Sequence, residues 1–208
     1  MLEIFERGGL MMYPLAFASF LALAIIVERF ISLRRSKIII PDIINVIEHF
    51  KSMGDVELAR NICSKFNGPL PNLVRVGLDN SELGRVEIKE LIEDQGRQEV
   101  RQLEKGLGIL ETIAVVSPLL GLLGTVLGMI QVFNVIKEQG IGQAAALSGG
   151  ISEALITTVT GLFIGIPVLI FYNYFANKAE NFVLDIEKHS NYLIQKLHNI
   201  KQEVSEIS

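Results

Sequence analysis

The sequence predicts an all-α membrane protein, with three transmembrane helices and long helical extensions on one side of the bilayer. Three observations carry that expectation. Half of the 208 residues are hydrophobic and the mean hydropathy is +0.41, too apolar for an ordinary water-soluble domain. The apolar residues are concentrated in uncharged stretches at 8–27, 112–136 and 154–177, each reaching the roughly 20 residues a helix needs to span a membrane. The polar segments between and after them space their apolar residues as helices do.

Residues 1–33 form the N-terminal end and the first span. Its apolar run exceeds the roughly 7–15 residues of a signal-peptide core, and no small-x-small cleavage site follows. Glu28, Arg29, Phe30, Ile31 and Leu33 come next, so the stretch reads as a retained helix. Residues 34–108 form a helical region between spans. From Arg34 to Lys105 it carries twelve basic and twelve acidic residues, a balance that argues against a nucleic-acid partner. Ile43, Ile44, Ile47 and Phe50, then Leu58, Ile62 and Phe66, recur at helical spacing. Gly54–Asp55 and Asn67-Gly68-Pro69 punctuate them as turns do, so a pair of short helices in a small bundle is expected. Cys63, the single cysteine, cannot form an intrachain disulfide and belongs to no CxxC or His/Cys cluster. It reads as a small apolar core residue, and neither metal nor cofactor is called for.

After Gly84, residues 86–108 contain no proline and place Ile88, Leu91, Ile92, Val100, Leu103 and Leu107 along a helix. Glu93–Arg97 is an attractive i,i+4 pair and Glu90–Asp94 a repulsive one. One helix is expected to continue from here straight into the second span, 109–136. A loop at 137–149 leads to the third span, 150–177. Residues 178–208 form a C-terminal helix with Phe182, Leu184, Ile186, Leu193, Ile194 and Leu197 on an amphipathic face. Such extensions bundle within one chain or form a collar from several.

Lysines and arginines near the span ends set the orientation. Arg34, Arg35 and Lys37 follow the first span, Arg97, Arg101 and Lys105 precede the second, and Lys178 and Lys188 follow the third. The opposite side offers Arg7 and Lys137. The N-terminus and the 137–149 loop are therefore expected outside, with the middle region and the tail in the cytoplasm.

The last two spans differ from a lipid anchor. The second reads S-P-L-L-G-L-L-G-T-V-L-G from Ser117 to Gly128, and the third S-E-A-L-I-T-T-V-T-G-L-F-I-G-I-P from Ser152 to Pro167. Ser117, Gly121, Thr125 and Gly128 recur at spacings of four, four and three, giving one narrow face of small residues. Gly124 and Gly128 make a GxxxG beside it. Ala154, Thr158, Gly161 and Gly165 repeat the pattern. Close helix packing is the plain role of Gly121, Gly124, Gly128, Gly161 and Gly165.

Thr157, Thr158 and Thr160 cluster just beyond Glu153. One membrane threonine satisfies its hydroxyl on the i−4 carbonyl and says little; three beside an acid suggest a wetted or proton-carrying path. Glu153 itself has two readings. It is a carboxylate near a helix N-terminus, favoured there by roughly 0.3–1 kcal/mol, or a semi-buried membrane acid with a functional role. The rarity of intramembrane acids favours the second. Glu111 falls at the interface, where it stays hydrated. Pro118 and Pro167 lie inside spans, where each removes a backbone bond and bends its helix. No aspartate occupies the middle of any span, so a proton carrier would have to come from a partner.

Pro118-Leu-Leu-Gly-Leu-Leu-Gly-Thr-Val126, Gly150-Ile-Ser-Glu-Ala-Leu-Ile-Thr-Thr158, Gly165-Ile-Pro167 and Tyr172-Asn173 resemble the signature of the MotA/TolQ/ExbB proton-channel family. The likeness covers nearly the whole chain, and three spans are similar to ExbB and TolQ rather than to four-span MotA. The resemblance implies a ring, typically of five subunits, in a bacterial inner membrane with a periplasmic N-terminus. The ring surrounds the helices of ExbD- or TolR-like single-span partners, whose membrane aspartate carries protons, and a TonB-like protein and membrane lipids complete its surroundings. By motif position it implies Thr125 and Thr158 in the pore, Glu153 near its periplasmic side and Asn173 near its cytoplasmic side. Thr157 has no such warrant; its spacing from Glu153 recommends it.

Three functions compete on this sequence. An energy-transducing proton channel would serve TonB-dependent uptake, Tol-type envelope maintenance or a gliding machine. A structural scaffold would use the glycine faces alone. An enzyme is not expected: His49, His189 and His198 all lie in the extensions, and no nucleophile–base pair or phosphate loop is recognisable.

Overall fold

Helix is the local outcome over most of the described residues, with left-handed Gly106 and Gly140 and the prolines at Pro41 and Pro69 marking some of the boundaries. The computed structural model describes residues 8–49, 55–140 and 144–207. Its helices are α1 (Met12–Ser32), α2 (Arg35–Ile38), α3 (Pro41–His49), α4 (Val56–Cys63), α5 (Pro69–Asp79), α6 (Arg85–Leu103), α7 (Leu107–Gln139) and α8 (Ala144–Ile207). α1, α7 and α8 each contain a segment long and apolar enough to cross a membrane. The chain divides into two compact units, one comprising the residues up to Arg29 with Gly106–Phe175, the other Phe30–Lys105 with the residues from Ala176.

The first unit leaves most of its apolar surface outside. Only 17%, 33% and 28% of the three apolar windows are buried within the chain, and Phe17, Phe20, Leu155 and Phe163 are exposed. Such a surface requires lipid or protein neighbours rather than water. Large residues such as Leu15, Leu110, Val168 and Phe175 are buried too, but where α7 and α8 meet the interior is made of Ala114, Ser117, Ala154, Thr157 and glycines. Arg29 at the end of α1 is buried, and its guanidinium holds the adjacent Glu28 through two contacts of 2.5 and 2.6 Å.

The second unit is a bundle. Ile43 and Ile47 of α3, Val56, Ala59 and Cys63 of α4, Leu70, Leu73, Val74 and Leu78 of α5, Ile88 and Ile92 of α6, and Phe182, Ile186, Leu193 and Leu197 of α8 form its core. Gly77 is where α5 meets two neighbours: a Cβ there would lie 3.0 Å from Leu193 Cδ2 and 3.1 Å from Ile92 Cδ1. Buried Glu99 accepts hydrogen bonds at 2.8 Å from both Asn72 Nδ2 and Gln95 Nε2. Lys196 Nζ of α8 donates to the carbonyls of Ile47 and Glu48 at the end of α3, where a cation complements the helix dipole.

Several expectations need correction. The helix through 86–108 does not run unbroken into the second span: α6 ends at Leu103, and Gly106 takes φ +79° before α7 begins, a conformation in which glycine carries no Cβ penalty. α8 begins six residues before position 150 and continues through the third span and the tail as one 64-residue helix. Glu153 therefore sits beyond the first turns, where the dipole effect has faded. The pair of short helices becomes a larger set, because α5 starts with Pro69 in the first turn, a favoured place for proline. In α4 the buried face is Val56, Ala59 and Cys63, while Leu58 is 64% exposed; both stripes obey the helical period, so spacing alone could not choose. Leu91 and Leu184 are exposed rather than inward. The Glu93–Arg97 pair gives way to Lys89–Glu93 at 3.5 Å and Asp94–Arg97 at 3.7 Å. Phe50 lies outside the described residues.

Cys63 is buried as expected. Burial pushes its thiol from 9.0 up to about 11, with Asp79 adding to the rise and Arg75 opposing it. Two measurements check this. At pH 8 the native protein is expected to resist alkylation, and unfolding should restore ordinary thiol reactivity. Because the folded state holds the proton more tightly, the associated stability is complete below about pH 9 and is lost as pH rises through 11.

Candidate functional site

Small residues decide how α7 and α8 meet. A Cβ on Gly161 would lie 2.5 Å from the Ser117 carbonyl oxygen, one on Gly121 2.9 Å from that of Thr157, and one on Gly128 2.8 Å from that of Gly150. Gly165 fits against the Pro118 ring and the Ala114 carbonyl, at 2.7 and 3.0 Å by the same measure. Proline 118 deprives that carbonyl of its intrahelical donor, and the bare Gly165 backbone fills the space beside it. Contacts running from Ala114–Gly165 to Gly128–Ala154 define an antiparallel seam. At Gly121, Gly124, Gly128, Gly161 and Gly165 alike a Cβ would lie within 3.0 Å of the facing helix.

The hydroxyls divide into two groups along this seam. Ser117 and Thr157 are enclosed, at 0% and 1% exposure. Ser117 Oγ donates to Ile113 O at 2.7 Å, and Thr157 Oγ1 to Ala154 O at 2.9 Å and Glu153 O at 3.2 Å. Thr157 also fills the space left by Gly124. Its position is a packing position within the chain. Thr160 likewise returns its hydroxyl to Ile156 O, at 2.8 Å.

Thr125 and Thr158 behave differently. Both are partly exposed. Thr158 Oγ1 crosses the seam to Gly121 O at 3.1 Å, while Thr125 Oγ1 donates to Leu122 O at 2.6 Å. Thr125 lies about 100° around α7 from Gly124, and Thr158 about 100° around α8 from Thr157. Since Gly124 and Thr157 touch and the helices are antiparallel, the two threonines fall together on the opposite edge of the seam. Asn173, exposed, lies about 60° further round α8 and about 22 Å along its axis. Glu111 of α7, also exposed, lies about 21 Å from the level of Thr125 on the same edge. Its place at the level of Asn173 follows from the antiparallel register, a tertiary fact that residue spacing does not carry. Between these levels the edge carries Leu122, Leu162 and Leu169, all exposed.

Glu153 is not on this edge. Five residues separate it from Thr158, about 140° of rotation. Its carboxylate packs instead on Gly9, which adopts φ +64° just before α1.

Comparison with known proteins now bears on the function. Residues 65–188 match the family described as the MotA/TolQ/ExbB proton channel family. The chain belongs to the MotA/TolQ/ExbB proton channel family. Its relatives include a biopolymer transport protein ExbB homolog of Methanothermobacter thermautotrophicus, 31% identical over all of this chain and 72% of that protein. An ExbB-like protein 3 of Synechocystis is 34% identical over 81% of each chain. The biopolymer transport protein ExbB of Aquifex aeolicus is 30% identical over 89% of this chain and 88% of its own. The α7–α8 seam is thus part of a membrane protein of the ExbB/TolQ/MotA class, and the matched segment contains every seam residue described above.

Proposed function

We propose that this chain is an ExbB-like subunit of an inner-membrane proton channel that couples proton-motive force to mechanical work. In this reading about five copies form a ring, with the Thr125–Thr158 edge facing a central path. A single-span ExbD- or TolR-like partner occupies the path, the N-terminus is periplasmic and the bundle unit is cytoplasmic. The observation that carries the reading is the broken polarity of that edge. Hydroxyls at Thr125 and Thr158 and the polar pair Glu111 and Asn173 are separated by about 21–22 Å in which Leu122, Leu162 and Leu169 face outward. A proton cannot hop that far across leucines, so a carboxylate from elsewhere must bridge it, and a partner aspartate has the needed chemistry. The exposed apolar surface of α1, α7 and α8 is available for lipid and for neighbouring copies. Energisation of TonB-dependent outer-membrane transport is the service proposed; a TolQ-like or gliding motor would use the same path.

Proton flux into liposomes under an imposed gradient tests this. The chain reconstituted with an ExbD-like partner is expected to conduct. A partner whose membrane aspartate is replaced by asparagine should abolish flux while the complex remains intact. Undiminished flux through that complex would refute the bridging carboxylate, and no flux through the intact wild-type complex would favour a scaffold.

A further inference from the structure

A groove of about 680 Å³ runs between α6 and α8 in the bundle unit, with Ile92, Val100, Ile186 and Ile194 in its lining. Two further lining residues gain nothing within one chain. Gly96 sits inside α6, where glycine is destabilising relative to alanine. No close neighbour requires it: a Cβ would meet Leu73 Cδ2 at 3.7 Å, an ordinary contact, and nothing else within 4 Å. Ser190 of α8 is 6% exposed, and its enclosed Oγ has no hydrogen-bond partner among the described residues.

The same unit carries a surface of the opposite shape. Leu184, Lys188 and Tyr192 follow one another at four-residue spacing on α8, all exposed and within about 80° of one another. Lys188 lies about 160° around α8 from Ser190, so ridge and groove occupy different sides of one helix at the same height. Val86 and Leu91, the exposed apolar residues of α6, are about 140° apart and form no such ridge. Glu187 on the groove rim and Lys188 on the ridge are both exposed, and neither forms an ion pair among the described residues. Two unlike faces let each copy give a ridge and receive one, a heterologous contact that repeats until a ring closes. We propose that the α6–α8 groove receives the Leu184–Tyr192 ridge of the next copy. The contact rests on the ring proposed above. Bare Gly96 lets the neighbouring helix approach closely. The Tyr192 hydroxyl of the next copy supplies the partner that Ser190 Oγ lacks, and its Lys188 meets the Glu187 carboxylate.

Cross-linking of the full chain, in the complex with its single-span partner, tests this. Gly96→Cys combined with Tyr192→Cys should give, on oxidation, a ladder of covalent species beyond the dimer on a denaturing gel. Either cysteine alone should not extend past the dimer, with buried Cys63 retained throughout. Charge exchange adds a readout that leaves the core untouched. Glu187→Lys and Lys188→Glu should each lower the ring fraction in native mass spectrometry several-fold at limiting concentration. The double variant should restore it to within about twofold of wild-type, because the two charges couple across copies. A wild-type complex holding a single copy would refute the ring and this contact with it. A ring that shows neither ladder nor charge rescue would refute the contact alone. Cross-linking of the double-cysteine variant that stops at dimers would also overturn it, since the copies would then meet as an isologous pair.

Discussion

Gly161→Leu is expected to separate α7 from α8 and to prevent formation of the folded unit they share. The nearest atom to a Cβ at this position is the Ser117 carbonyl oxygen at 2.5 Å, followed by Gly121 Cα and N at 3.1 and 3.2 Å. All three are backbone. A flexible side chain could rotate aside, but here one helix must withdraw along its length. Withdrawal also breaks the Thr158–Gly121 hydrogen bond and loosens the contacts at Gly121, Gly124 and Gly165. Overpacking commonly costs about 1–3 kcal/mol, and a clash of two backbones should meet or exceed the upper figure. Unfolding in mixed micelles measures it. Gly149→Ala is the matched control, since it lies in the same helix with nothing within 4 Å of its Cβ position. It should be neutral or stabilising by up to about 1 kcal/mol. Equal effects from the two substitutions would refute the account of the seam.

Much of this fold was legible because the bilayer simplifies the reading. Uncharged runs of 20 residues or more have few alternatives to helix, and the glycine spacing in 117–128 and 152–167 marks a face that must be covered. The seam runs through Gly121, Gly124, Gly128, Gly161 and Gly165. The bundle unit was less legible. In α4 two stripes share the helical period, and burial of Val56, Ala59 and Cys63 rather than Leu58 is decided by neighbours far away in sequence. Gly106 shows another limit: one left-handed residue ends α6 before α7, though propensity in the flanking residues favours continuation. At the site, residue types were legible and directions were not. Thr157 and Thr158 differ by one position and about 100°, which sends one into the packed seam and the other to its edge. Glu153, grouped with both by proximity in sequence, has its carboxylate against Gly9 instead.

That difference between adjacent threonines makes the sharpest functional comparison. Thr158→Val keeps the volume and the β-branch while removing the hydroxyl that donates to Gly121 O at 3.1 Å. Interhelical hydrogen bonds in membranes average about 0.6 kcal/mol and reach about 1.7, so the seam should survive and the complex should assemble. Proton flux should nevertheless fall by at least about tenfold, the equivalent of about 1.4 kcal/mol on a barrier. The reason is positional: on the proposed path Thr158 offers a polar group at the edge where the partner's carboxylate passes. Thr157→Val removes a hydroxyl whose bonds go to its own helix, to Ala154 O and Glu153 O. Its effect should be confined to stability, with flux within about twofold of wild-type, because an enclosed side chain cannot meet a partner. Flux assays on equally assembled complexes separate the two. Equal loss in both variants would mean that the hydroxyls act through packing and that the edge conducts nothing. Loss only in Thr157→Val would place the path within the seam, on the side that Gly124 faces.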